Sequence, residues 1–130
     1  MRVAMLGSGG LGAFFGGLLA RAGHDVSFIA RGSNLEAMRQ RGLTLKTLPP
    51  AEIQLTVCAT NDPREIGPVD LIWCCVKAYD VDSAARQMSS LMGSGTVVLP
   101  IQNGVDVAEQ IAGHVGTDRI LGGLCLAGQR

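Results

Sequence analysis

The stretch Arg2-Val3-Ala4-Met5-Leu6-Gly7-Ser8-Gly9-Gly10-Leu11-Gly12 decides the fold. Its first half is a short apolar run that stops at glycine, the pattern of a strand buried in a sheet. From Gly10 the periodicity turns helical and continues to Arg21, where Ala22-Gly23 supplies a stop. The turn between them spells G-x-G-x-x-G, a spacing that is weak alone and strong between a strand and a helix. Each glycine has its own task. Gly7 permits the tight turn, Gly9 lacks the Cβ that would hold a pyrophosphate away, and Gly12 lets helix and strand pack closely. The first N–H groups of the helix have no partner within it and would face phosphate charge.

Outward from this segment the same alternation recurs. Asp25-Val26-Ser27-Phe28-Ile29-Ala30 is a second strand, and Ser33-Asn34 caps a short helix over Leu35 to Arg41 that Gly42 closes. Leu43 to Leu48 and Ile53 to Ala59 read as two further strands around the Pro49-Pro50 break, and Asn61-Asp62-Pro63 as a turn. The run Asp70-Leu71-Ile72-Trp73-Cys74-Cys75-Val76 reads as a strand buried on both faces. A helix over Val81 to Met92 and a Gly93-Ser94-Gly95 turn follow, then a buried strand over Thr96 to Pro100. A helix over Val105 to Ala112 and a last strand from Ile120 to Leu124 complete the pattern. Strands alternating with helices imply right-handed crossovers and a mostly parallel sheet covered on both faces. The expected fold class is α/β, doubly wound.

Composition sets the outer limits. A chain of 130 residues is the size of one domain, so residues 1–130 are expected to form a single dinucleotide-binding domain. With 47% hydrophobic and 17% charged residues, intrinsic disorder is excluded. Eleven basic and eleven acidic side chains cancel, so the charge excess of a general nucleic-acid binder is absent. The 18 glycines follow no three-residue period, which excludes collagen. Cys58, Cys74, Cys75 and Cys125 form no C-x-x-C pair and are expected as buried free thiols in a reducing compartment; no metal site is expected. The uncharged stretch from Val3 to Ala20 carries six glycines, too many for the apolar helix of a signal peptide, so the expected location is cytoplasmic, with no membrane partner.

Three polar residues stand where strands of an open α/β sheet deliver ligand contacts, beyond their carboxyl ends. A carboxylate that bonds the ribose 2′-OH of NAD normally ends the second strand, about 20 residues past the glycines. Arg31 stands there instead, with no carboxylate beside it. Its forked donors suit a 2′-phosphate, so NADP(H) is expected rather than NAD(H). Lys77 ends the apolar run Trp73-Cys74-Cys75-Val76, and Asn103 follows the Val97-Val98-Leu99-Pro100 strand.

Gly7-Ser8-Gly9-Gly10-Leu11-Gly12, Ile29-Ala30-Arg31, Val76-Lys77-Ala78-Tyr79 and Pro100-Ile101-Gln102-Asn103-Gly104-Val105 together resemble the amino-terminal half of the ketopantoate reductases (2-dehydropantoate 2-reductases). The resemblance spans nearly the whole chain and implies a Rossmann-type domain. It also implies NADPH-dependent reduction of the 2-keto group of ketopantoate to pantoate, a step towards pantothenate and coenzyme A. On it, Gly7, Ser8, Gly9, Gly10, Leu11 and Gly12 line the pyrophosphate and Arg31 the 2′-phosphate. Lys77 and Asn103 lie at the junction of cofactor and substrate as catalytic residues. Members of that family carry a second, helical domain that supplies a general-acid lysine. Lys46 and Lys77 are the only lysines here, and nothing gives Lys46 that role, so the isolated chain is expected to bind cofactor and catalyse poorly. The positive mean hydropathy, +0.28, implies apolar surface that docks against a second domain or another copy. Two alternatives stand beside this reading: a stand-alone nucleotide-sensing or interaction module, and a reductase of a different 2-keto acid.

Overall fold

The computed structural model describes residues 1–7, 10–47, 51–76, 81–100 and 105–120. Strand β1 (Arg2–Leu6) and helix α1 (Gly10–Arg21) fall where the apolar run and the helical periodicity place them. Strand β2 (Asp25–Ile29), helix α2 (Gly32–Arg41), and strands β3 (Leu43–Thr47), β4 (Ala51–Leu55) and β5 (Cys58–Thr60) follow. Strand β6 (Val69–Cys74), helix α3 (Val81–Gln87), strand β7 (Met92–Pro100) and helix α4 (Val105–Val115) complete the described elements.

Five strands form one sheet in the order β5-β2-β1-β6-β7, with every neighbouring pair parallel. From β1 the chain winds outward through β2 to β5, then returns to the other side of β1 with β6 and continues to β7. This is a doubly wound, Rossmann-type sheet, and its direction reverses between β1 and β6. Alternation along the strands sends Ala4, Leu6, Ile29, Ile72, Cys74 and Val98 to a core shared with Ala84, Ala85 and Ile111 of α3 and α4. The opposite face sends Val3, Met5, Val26 and Phe28 against α1 and α2. A separate antiparallel hairpin, β3–β4, lies over α1: a Cβ on Gly17 would press into Leu43 and Leu45.

The sequence reading needs correction where pairing is set by distant residues. The expected strand over Ile53 to Ala59 is two strands: β4 completes the hairpin, and the chain then crosses to the edge of the main sheet as β5. Helix α2 begins at Gly32, whose φ of +64° lets the chain turn directly off β2, so Ser33 and Asn34 lie inside it and Arg31 is the N-cap. The α-helix expected to reach Met92 ends at Gln87, and Met88–Leu91 tightens into a 3₁₀ turn. Met92 already pairs with Val69, and residues 93–96 bulge out before Val97 pairs with Leu71. Strands β6 and β7 are fully buried on the α3/α4 face only; Leu71, Trp73, Val97 and Leu99 on the other face are half-buried. Of the last expected strand, Ile120 makes a parallel bridge to Val98 and positions 121–124 lie outside the described residues. Cys74 is buried, but Cys75 is half-buried and Cys58 is exposed on the edge strand, against the expectation of buried thiols; Cys125 lies outside the described residues.

Candidate dinucleotide site

The reversal point of the sheet coincides with the glycine turn. Gly7 leaves β1 with φ +91°, a conformation that side chains disfavour, and its N–H bonds the Ile29 carbonyl at 3.3 Å. On the other side, the Cys75 N–H bonds the Leu6 carbonyl at 2.8 Å, so the carboxyl ends of β1, β2 and β6 are tied together at one level. A Cβ on Gly7 would lie 2.8 Å from Val76 Cγ1 and 3.0 Å from the Val76 nitrogen. On Gly12 it would overlap the Gly7 carbonyl oxygen and come within 3.3 Å of Cys75 Cβ. Two of the three motif glycines are therefore required by contacts within the fold, and the amino end of α1 is drawn down onto the end of β1.

Further along α1, Gly16 allows the helix to lie on Phe28 and Met5. Phe15 stacks on Trp73 of β6, with ring centroids 5.1 Å apart and planes 15° apart. Helix α1 thus lies over both β1 and β6, with its amino end against the carboxyl end of β1.

Arg31 follows β2 at the same end of the sheet, exposed and extended (φ −150°, ψ 162°) at the start of α2. No carboxylate among the described residues pairs with it, which leaves its guanidinium available to an anion. Ser8, Gly9, Lys77 and Asn103 lie outside the described residues, as does the side chain of Leu11. Val76 and Cys75, which wall the turn opposite Gly7 and Gly12, are site residues that sequence reading passed over. Their only signal there was adjacency to Lys77.

A concavity of about 330 Å³ elsewhere runs along β2 and β5 from Arg2 and Asp25 to Thr60, with Arg39 and Glu65 beside it. Its charged side chains have protein partners: Arg39 donates to the Ala59 carbonyl at 3.1 Å. Arg2 donates to the carbonyls of Pro68 and Ile66 at 2.8 Å each and pairs with Asp25 at 3.5 Å, and Thr60 bonds Glu65. Asp62 and Asp82 are held below the usual carboxylate range by surface partners, Asp62 by hydrogen bonds from Arg64 and Asp82 by His114 and Arg86. The glycine crevice, with its bare backbone and free Arg31, is the better site for a phosphorylated ligand.

Comparison with known proteins agrees with this geometry. The family model described as ketopantoate reductase PanE/ApbA matches residues 3–129. A 2-dehydropantoate 2-reductase from Archaeoglobus fulgidus is 36% identical over 127 residues, which are 98% of this chain and 40% of the relative. The crystal structure of a PanE/ApbA family ketopantoate reductase from Ralstonia eutropha JMP134 superposes with a TM-score of 0.83 at 37% identity, covering 94% of this chain and 40% of that one. A D-mandelate dehydrogenase solved with NADH and anilino(oxo)acetate superposes with a TM-score of 0.86 at 25% identity, over 95% of this chain and 40% of that one. The chain spans about two-fifths of the length of these relatives. The doubly wound sheet, the glycine turn at its reversal point and a family match over nearly every residue lead to one assignment: this chain belongs to the ketopantoate reductase family.

Proposed function

We propose that this chain is the NADPH-binding half of a cytoplasmic reductase that converts the 2-keto group of ketopantoate to the alcohol of pantoate, for pantothenate and coenzyme A synthesis. The observation that carries the proposal is the close packing at Gly7 and Gly12, where a Cβ would run into Val76 and the Gly7 carbonyl, so that the bare amino end of α1 sits against the end of β1. The residues present fit the cofactor. Gly7, Ser8, Gly9, Gly10, Leu11 and Gly12 hold the pyrophosphate on bare backbone, and the amino end of α1 complements its charge. Arg31 takes the 2′-phosphate. Bound NADPH supplies a hydride; the protein's part is to hold the cofactor against the keto acid and to stabilise the alkoxide that forms. Lys77 and Asn103 do this at the junction of cofactor and substrate.

The family relationship supports a further lobe that completes the cleft and brings the general acid. The half-buried Leu71, Trp73, Val97 and Leu99, and the exposed Phe14 of α1, leave apolar surface suited to such docking or to self-association. No helix among the described residues is long and apolar enough to cross a membrane. The D-mandelate dehydrogenase neighbour favours a second reading, the same hydride chemistry on a different 2-keto acid.

A parallel titration with NADPH and NADH tests the cofactor assignment. Trp73 is the single tryptophan, so energy transfer from it to the nicotinamide reports binding. NADPH is expected to bind roughly tenfold or more tightly than NADH, as a charge-assisted contact to the extra phosphate requires. Equal affinities, or none, would remove the proposal. Assay of a full-length enzyme carrying this domain against ketopantoate and related keto acids separates the two substrates.

A further inference from the structure

Helix α1 rests on the sheet along one stripe, Gly12, Phe15, Gly16 and Leu19, with a small edge and a large one. The small edge lies tight on β1 and β2, where Gly12 meets the Gly7 carbonyl and Gly16 meets Met5 and Phe28. The large edge is a single aromatic stack. Phe15 lies on Trp73, which stands in register with Met5 and Leu99 and shares a strand face with Cys75, the residue that walls Gly12. Phe14 meets the edge of Phe15 at 5.5 Å and 67°, continuing the aromatic row along the helix. The helix therefore meets β6 through the Phe15–Trp73 stack on one side and lies at backbone contact with the end of β1 on the other.

The indole adds a second observation. Trp73 Nε1 is buried and has no hydrogen-bond partner among the described residues. A buried donor without an acceptor destabilises the fold, so the ring is held there for its plane and bulk and not for its N–H. We propose that Trp73 is a positioning residue: its stack on Phe15 sets the pitch of α1 over β6 and so aims the first N–H groups of the helix into the crevice. The inference rests on reading that crevice as the cofactor site, while its structural half concerns α1 alone.

Two substitutions separate plane and bulk from mere occupancy. Trp73→Phe keeps a ring under Phe15 and removes the orphaned donor; Trp73→Leu keeps an apolar residue and loses the stack. Hydrogen–deuterium exchange reads the helix directly and needs no ligand. In Trp73→Leu, peptides covering α1 are expected to exchange about fivefold faster, the factor equivalent to a typical aromatic pair, while those of β1, β6 and β7 keep their rates. In Trp73→Phe the α1 rates are expected to match the parent. Affinity for NADPH, read by calorimetry, should fall about fivefold in the leucine variant and be restored in the phenylalanine variant. Unchanged α1 exchange in both variants, uniform acceleration across the sheet, or a phenylalanine variant as loose as the leucine one would each overturn the assignment. A parent chain that binds no NADPH defeats the cofactor reading instead, and the exchange data still decide the role of Trp73.

Discussion

The carbonyl oxygen of Gly7 occupies the space that a Cβ on Gly12 would need. The two glycines are thus one structural unit: the left-handed φ of the first directs its carbonyl at the helix, and the bare second residue accepts it. Contact with backbone cannot be relieved by turning a side chain, so any larger residue at position 12 must lift α1 from the strand end. Separation there removes the N–H groups from the place where a pyrophosphate would lie.

Gly12→Ala is therefore expected to weaken NADPH binding more than tenfold and to destabilise the fold by about 1–3 kcal/mol, the usual range for overpacking. Gly113 is the matched control, because a Cβ there meets nothing within 4 Å and the residue sits on the exposed face of α4. Gly113→Ala should stabilise by about 0.5–1 kcal/mol through helix propensity and leave cofactor binding alone. Urea unfolding and calorimetric titration of both variants check the contrast.

Arg31→Ala should weaken NADPH by about 1.5–3 kcal/mol and leave NADH nearly unchanged, since the lost contact is to the phosphate that only one cofactor carries. The residue is exposed at the start of α2, so thermal stability is expected to hold within about 0.5 kcal/mol. Equal weakening of both cofactors would show that Arg31 touches a part they share, or acts through the loop.

What the sequence discloses about this fold follows from how local each signal is. Arg2–Leu6 and Gly10–Arg21 are legible because an apolar run, a glycine stop and helical periodicity are all written within the segment itself. Residues 53–59 were not, because β4 answers to its hairpin partner and β5 to Ser27, Phe28 and Ile29 across the sheet. The half-buried face of β6 was equally hidden: an apolar run looks the same whether one or both faces are covered. The spacing puts Gly7, Gly12 and Arg31 at the carboxyl end of the sheet, where the fold has them, whereas Val76 and Cys75 contribute a wall that no motif encodes. Trp73 looks in the sequence like one more apolar strand residue, since stacking on Phe15 depends on how α1 crosses β6.

Thr96 fixes the bulge that interrupts β7. Its hydroxyl, 1% exposed, donates to the Val69 carbonyl and accepts from the Gly93 N–H at 2.7 Å, and Arg119 bonds the carbonyls of Gly93 and Thr96 at 2.8 and 3.0 Å. Thr96→Val preserves shape and leaves both partners unsatisfied, so a loss of about 1–3 kcal/mol is expected by urea denaturation. Cofactor affinity should not follow it, because Met92–Thr96 lies at the far end of β7 from its carboxyl terminus.

Two surface carboxylates contribute to acid stability. Asp62 accepts bonds from the backbone and side chain of Arg64, and Asp82 lies between His114 at 3.1 Å and Arg86 at 2.9 Å. Both are held below the usual carboxylate range, Asp62 first by the Arg64 side-chain bond and Asp82 first by the His114 bond. A carboxyl group that is more acidic folded than unfolded stabilises the native state above its unfolded value. That contribution disappears as pH falls through the folded value. Neither carboxylate therefore contributes any pH dependence to the urea midpoint between about pH 7 and 5, and both lower it below about pH 4. Asp62→Asn retains an acceptor for the Arg64 N–H and removes the charge, so its acid decline should be shallower than the parent's. Asp62→Ala loses the cap as well and should start lower at neutral pH. A midpoint that rises on acidification would reverse the sign assigned to both pairs.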